Sequence, residues 1–188
     1  ILLAGCGDQS YKEVTDKSIV DVGLPANLLA NPGFEDGRLS PWTVLYPKGA
    51  SVSVTSTGSH SGGDSLRIAL PKIAPKETVS ISQSVASLPV RSEGARYKMS
   101  MWVRTRALSK KVPIAMRIGY EGGSYAFVTG DAGKEPVLIP EGNRGWTEFE
   151  LTTEAAEAMS SIAVFPVDSP ADFTGTLWID DVRLFVVE

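Results

Sequence analysis

The chain has 188 residues, 43% of them hydrophobic, enough for one domain with its own core. Its 18 basic and 22 acidic side chains leave a net charge of −4 and a pI near 5.1, which argues against a nucleic-acid partner, since such a partner wants a basic surface. Cys6 is the only cysteine, so no internal disulfide can form, and 18 glycines with 12 prolines point to a chain of many turns.

The first stretch, Leu3-Ala4-Gly5-Cys6, resembles the lipobox of bacterial lipoproteins. The likeness implies that residues 1–6 end a signal peptide and that Cys6 accepts a lipid. It also implies a lipid-anchored protein of the bacterial cell envelope, on the periplasmic or surface side. No run approaches the ~20 apolar residues of a membrane span. Residues 7–26 are polar, aperiodic and end in Gly-Leu-Pro-Ala, the composition of a tether. The globular part is expected over 27–188.

From Asn27 onward, short alternating runs follow one another between turn-forming stretches. Strands are expected at 51–55, 65–70, 78–85, 97–105, 111–118, 136–139, 146–151, 161–167 and 176–187. Alternation assigns their faces. Leu66, Ile68 and Leu70 share one side, as do Val79, Ile81 and Val85, with Gln83 among the latter. Tyr97, Met99, Met101 and Val103 oppose Lys98, Ser100, Trp102 and Arg104; Met116 and Ile118 oppose Arg117. The one helical candidate is 152–160, TTEAAEAMS. So many short strands predict an all-β fold, a jelly-roll β-sandwich of two antiparallel sheets.

The last strand poses a problem. In TLWIDDVRLF (176–185), either register puts an aspartate on the same face as large apolar residues. An unpaired carboxylate buried there would cost several kcal/mol. Asp180 or Asp181 could pair with Arg183 or Arg67, or bind a cation.

Five segments, in order, resemble the family 4/9 carbohydrate-binding modules. They are Asn27–Gly37 with Trp42 after it, His60–Arg67, Ile81–Val85, Tyr97–Arg104, and the closing Leu177–Leu184. The resemblance implies a galactose-binding-domain-like jelly roll that binds glycan on a concave sheet face, without catalysis. It also implies a structural calcium ion. Glu35 would give a carboxylate, Gly33 and Asp64 carbonyls, and Asp180 both. Such a mixture of carboxylates and carbonyls suits Ca²⁺.

Alternation alone nominates Trp102, between Lys98 and Arg104 on a non-core face, and Arg117 likewise. An aromatic ring offers a stacking face for a sugar, and planar polar groups bond hydroxyls. By resemblance to a family loop, Tyr125 would be a stacking residue, and Tyr46 another. Gln83 and Glu121 are candidate hydroxyl partners. The arginines would suit an acidic or uronate-bearing glycan. Trp42, Trp146 and Trp178 read as packing residues. His60 is the only histidine and lies in a turn; with no Gly-x-Ser-x-Gly elbow, nothing points to a hydrolase triad. The expectation is polysaccharide binding by an anchored domain that is not an enzyme. The alternatives are a structural or protein-interaction lipoprotein with an envelope protein partner, and, less favoured, a polysaccharide lyase or hydrolase.

Overall fold

The alternating stretches form strands, because a period-two apolar pattern buries one side only in an extended chain. A computed structural model describes residues 26–84, 96–120, 125–129, 135–154, 159–164 and 170–187. Its strands are β1 (Thr43–Leu45), β2 (Ser51–Thr55), β3 (Ser65–Leu70), β4 (Ala74–Thr78), β5 (Ser80–Ser84), β6 (Arg96–Leu108) and β7 (Val112–Pro113). They continue as β8 (Met116–Tyr120), β9 (Tyr125–Val128), β10 (Leu138–Ile139), β11 (Gly142–Glu154), β12 (Met159–Val164), β13 (Pro170–Ala171) and β14 (Gly175–Val187).

Two five-stranded antiparallel sheets make the jelly-roll sandwich. The first runs β1-β5-β12-β8-β9 and the second β11-β6-β14-β3-β2. Two short pairs, β7 with β10 and β4 with β13, complete the ladders. The core lies between the sheets. Ile81, Met116 and Ile118 come from the first; Leu66, Ile68, Met99, Met101, Leu177, Ile179, Val182 and Leu184 come from the second. Phe34 and Trp42 close one end of it, their ring centroids 5.9 Å apart.

The strand β14 resolves the aspartate problem with a β-bulge. Asp180 pairs with Trp102 but Arg183 pairs with Ser100, so β14 carries one extra residue there. Asp181 takes that position with φ of 47°, a left-handed conformation that aspartate tolerates. The slip turns Val182 and Leu184 into the core alongside Leu177 and Ile179. Neither uninterrupted register could bury all four.

The beginning of the domain is laced to this strand. Leu28 N donates to Leu184 O at 2.8 Å, and Val182 N donates to Pro32 O at 3.0 Å. Asn27 accepts from Leu184 N at 3.0 Å and donates to Val182 O at 3.1 Å.

The ends of the helical candidate 152–160 are strand. Thr152, Thr153 and Glu154 extend β11 along Lys98, Tyr97 and Arg96, and β12 begins at Met159. Residues 155–158 lie outside the described residues. An isolated segment this short has little helical stability of its own, and a neighbouring strand with free backbone groups overrides its propensity. The run 111–118 also divides, into β7 and β8. Pro113 has no N–H to continue a ladder, and Ile114 N instead donates to Val137 O at 2.8 Å. Tyr125, expected in a loop, opens β9.

Candidate functional site

The candidate residues divide between the outer faces of the two sheets. Trp102 and Arg104 lie on β6 of the second sheet, whereas Arg117 lies on β8 and Tyr125 on β9 of the first. With the core between them, these groups do not form one site.

On the second sheet, aromatic rings and guanidinium groups stack over one another. Arg104 lies over the Trp178 ring at 4.3 Å and over Trp146 at 5.2 Å, and Arg67 approaches Trp178 from its other neighbouring strand at 5.9 Å. Each is a cation–π distance. The loop between β2 and β3 then closes over part of this layer. His60 stacks on Trp102 with centroids 3.8 Å apart and planes 13° from parallel, and it meets Trp146 edge-on at 5.7 Å. Gly58, at φ of +72°, takes a left-handed conformation that side chains rarely adopt, and the Arg104 guanidinium packs against it. A Cβ there would stand 2.6 Å from Arg104 Nη1. The Trp102 face that sequence nominated for a sugar is occupied by an imidazole. We therefore assign Trp102 and Arg104 to packing under this loop.

Asp180 and Asp181 hold the same loop from beneath. Asp180 is fully buried; its Oδ2 accepts from His60 N at 2.8 Å and Ser61 N at 3.3 Å, and its Oδ1 from Asp181 N at 2.8 Å. Asp181 Oδ2 lies 2.7 Å from His60 Nδ1 and its Oδ1 accepts from Ser61 Oγ at 2.8 Å. With a carboxylate as acceptor, Nδ1 carries the proton. Ser61 thus bonds the acid rather than the imidazole, which is not the geometry of a serine nucleophile activated by histidine. The pairing with Arg183 or Arg67 considered from sequence is replaced, for Asp181, by the pair with His60.

Glu35 reaches the same junction from the first loop. Its carboxylate accepts from Gly63 N at 2.9 Å and Asp64 N at 3.2 Å. Gly62, at φ of +56°, makes room for it, since a Cβ there would fall 2.3 Å from Glu35 Oε1. Glu35 Oε1 and Asp180 Oδ1 both come within 3.5 Å of the Cβ position of Gly33, so the two carboxylates converge on that residue. No cationic side chain forms an ion pair with either among the described residues. Nor is there, among those residues, a cluster of three or more acidic, histidine or cysteine side chains suited to a metal. A cation here would take these two carboxylates and complete its shell with backbone carbonyls.

Burial pushes the Asp180 carboxyl up to about 6, against the lowering effect of the backbone N–H groups of His60, Asp181 and Ser61. Between the unfolded value of 3.8 and about 6, the folded chain binds the extra proton. Metal-free protein is therefore expected to lose stability as pH rises through that window, by up to about 3 kcal/mol. Urea denaturation in chelator at pH 4 to 7 checks this against Asp180→Asn. The variant should lack this component, and parallel curves for the two proteins would refute it.

The first sheet offers a different surface. On β8, Met116 and Ile118 point into the core and Arg117 points out. Arg117 lies over the ring of Tyr125 at 5.9 Å, and that ring is 66% exposed. Ser80 and Ser82 of β5 share their pairs with Leu45 and Thr43 of β1. Leu45 and Tyr46 are exposed beside this edge, at 56% and 48%. β1 and β9 are the two edge strands of the sheet. Four inter-strand steps put them about 19 Å apart. The result is a face with an exposed tyrosine at one edge and exposed Leu45 at the other, where Tyr46 follows the end of β1.

Gln83 belongs to neither face. It is 4% exposed, donates from Nε2 to Ala30 O at 2.9 Å, and accepts from Ala30 N at 2.8 Å. Its amide mimics a strand partner for the incoming chain and has no freedom to meet a hydroxyl. Its place among Val79 and Ile81 in the alternation already signalled an inward direction. Glu121 and Cys6 lie outside the described residues.

No family model and no curated protein matches this chain. Solved structures do. The CBM22-1 xylan-binding domain of Paenibacillus barcinonensis Xyn10C superposes with a TM-score of 0.58 at 17% identity, covering 87% of this chain and 96% of that one. TmCBM61, solved in complex with β-1,4-galactotriose, gives 0.55 at 24% identity, covering 85% and 98%. The enzymatically active domain of bacteriophage CBA120 tailspike protein 4 gives 0.60 at 14% identity, covering 86% of this chain but 21% of that one. The likeness is one of fold. It places the chain on an architecture that carbohydrate-binding modules use, and leaves the site to its own residues.

Proposed function

We propose that this domain binds a polysaccharide without altering it, on the outer face of the first sheet. The observation that carries the reading is the Tyr125 ring, 66% exposed at the sheet edge with Arg117 beside it. A solvent-facing aromatic on a rigid strand is a ready stacking surface, and Arg117 is near enough to orient a hydroxyl or carboxylate. Tyr46 would serve the far edge. The sequence likeness to family 4/9 modules supports the ligand class, as do a fold neighbour that is a xylan-binding domain and another solved with β-1,4-galactotriose.

We further infer a structural calcium ion where Glu35 and Asp180 converge, with carbonyls of Gly33, Asp64 and Asp180. The donor set is hard oxygen throughout, and Asp180 sits buried with no cationic ion-pair partner among the described residues. Its role would be to bind the 33–35 loop, the 60–64 loop and β14 together. A lipid on Cys6 would tether the domain to a bacterial envelope through residues 7–26. A protein partner in that envelope would be the competing use of the same face.

Affinity electrophoresis through xylan and galactan tests the ligand reading. Tyr125→Ala should weaken retardation about tenfold, which corresponds to about 1.4 kcal/mol. Retardation unchanged in that variant would remove the first-sheet face as the site.

A further inference from the structure

On the side of the sandwich away from Tyr125, the second sheet carries an open cleft of about 420 Å³. Its floor is β14, through Thr176 and Trp178, and its walls include Arg67 of β3 and Arg106 of β6. Register fixes this arrangement: Trp178 pairs with Arg67, and Thr176 pairs with Arg106. β3 and β6 both flank β14, so the two arginines rise from strands about 10 Å apart. That spacing admits one sugar ring between them, and the volume lies within the range of small-molecule sites.

The charge in this cleft is unbalanced. Among the described residues, no aspartate or glutamate lines it. The ion pairs among the described residues are Arg38–Asp36, His60–Asp181, Lys98–Glu150 and Lys110–Asp172, and none involves Arg67 or Arg106. Beyond its approach to Trp178, Arg67 donates one long hydrogen bond among the described residues, from Nη1 to Ser51 Oγ at 3.5 Å. In a chain of net charge −4, two guanidinium groups facing one hollow without an acid is an exception that invites an anion. Guanidinium forks match planar or tetrahedral oxyanions with two parallel bonds. Trp178 supplies an apolar wall, held by Arg104 at 4.3 Å, and Thr176 a hydroxyl.

We propose that this cleft is a second binding site, which takes the carboxylate or sulfate of an acidic saccharide unit. The oxyanion bridges Arg67 and Arg106, and the sugar ring lies along the β14 floor beside Trp178, whose ring Arg104 covers. The saccharide part of this assignment rests on the glycan-binding reading above; the anion part rests on the cleft alone. A domain with sites on opposite faces would bridge two chains of a charged polysaccharide, or hold two segments of one.

The test is affinity electrophoresis of the full chain through polygalacturonate (carboxylate) and dextran sulfate (sulfate ester), with neutral xylan and galactan run in parallel. Wild type should be retarded by at least one charged polymer, and less so as salt rises. Arg67→Ala with Arg106→Ala should reduce that retardation at least fivefold and leave neutral lanes unchanged. Lys48→Ala with Lys111→Ala removes the same charge from outside the cleft and should have no effect. Tyr125→Ala should weaken the neutral lanes and leave the Arg67- and Arg106-dependent retardation in place. Melting curves confirm folding, and the double glutamine variant replaces the alanine one if it melts early. The proposal is overturned if neither charged polymer retards wild type, if both double variants lose retardation equally, or if Tyr125→Ala alone abolishes it. Loss of every neutral lane would instead count against the first-sheet site and leave this one standing.

Discussion

Chelator-treated protein given calcium at a hundred times its dissociation constant is expected to melt about 5–10 °C higher. Binding at that excess stabilises the folded state by about 2.7 kcal/mol, and in a domain of this size each kcal/mol moves the midpoint by about 2–4 °C. The expectation follows from the fully buried Asp180, held by three backbone N–H groups but, among the described residues, by no cationic side chain. Desolvation already pushes its carboxyl up to about 6, so the ionised form is strained at neutral pH. A divalent cation between Asp180 and Glu35 would remove that penalty. It would also tie together three segments far apart in sequence, so that local melting at one would require release of all. Glu35→Gln with Asp180→Asn should abolish the calcium response. A wild-type midpoint that ignores calcium would show that the carboxylates serve only to hold the loop.

Replacing Trp102 by alanine should cost about 3 kcal/mol of stability and leave neutral-glycan affinity within about twofold. The indole is the platform on which His60 stacks at 3.8 Å, and Trp146 meets that imidazole from the side. Without it the loop loses its apolar contact and the Asp181–His60 pair loses its orientation. Urea denaturation gives the first quantity and affinity electrophoresis the second. The converse pattern, normal stability with lost affinity, would return Trp102 to the binding site.

The contrast between Trp102 and Arg117 shows how far the sequence could be followed. Each was read as pointing away from the core, and each does. What alternation within one strand cannot say is which sheet that strand joins. β6 sits between β11 and β14 while β8 sits between β12 and β9, and these orders arise from pairings between residues distant in sequence. So faces were legible strand by strand, while their grouping into a site was not. The bulge at Asp181 was hidden for a related reason. A bulge shows in a sequence only as a break in alternation, and two adjacent aspartates looked like a defect in both registers. The position of Asp180 at the closure of the domain was legible by resemblance, whereas its neighbour's bond to His60 depended on a loop folding back across the sheet. Gln83 was legible in direction, since it alternates with buried residues, but its partner, the Ala30 backbone, was not.

Neutral glycan is expected on the first sheet and not on the second. An NMR titration with a short oligomer of whichever neutral polysaccharide retards the protein tests it most directly. The ring signals of Tyr125 and Tyr46 should move with saturation, while the indole N–H signals of Trp102, Trp146 and Trp178 stay in place. Movement of the Trp102 indole with Tyr125 unchanged would contradict the account.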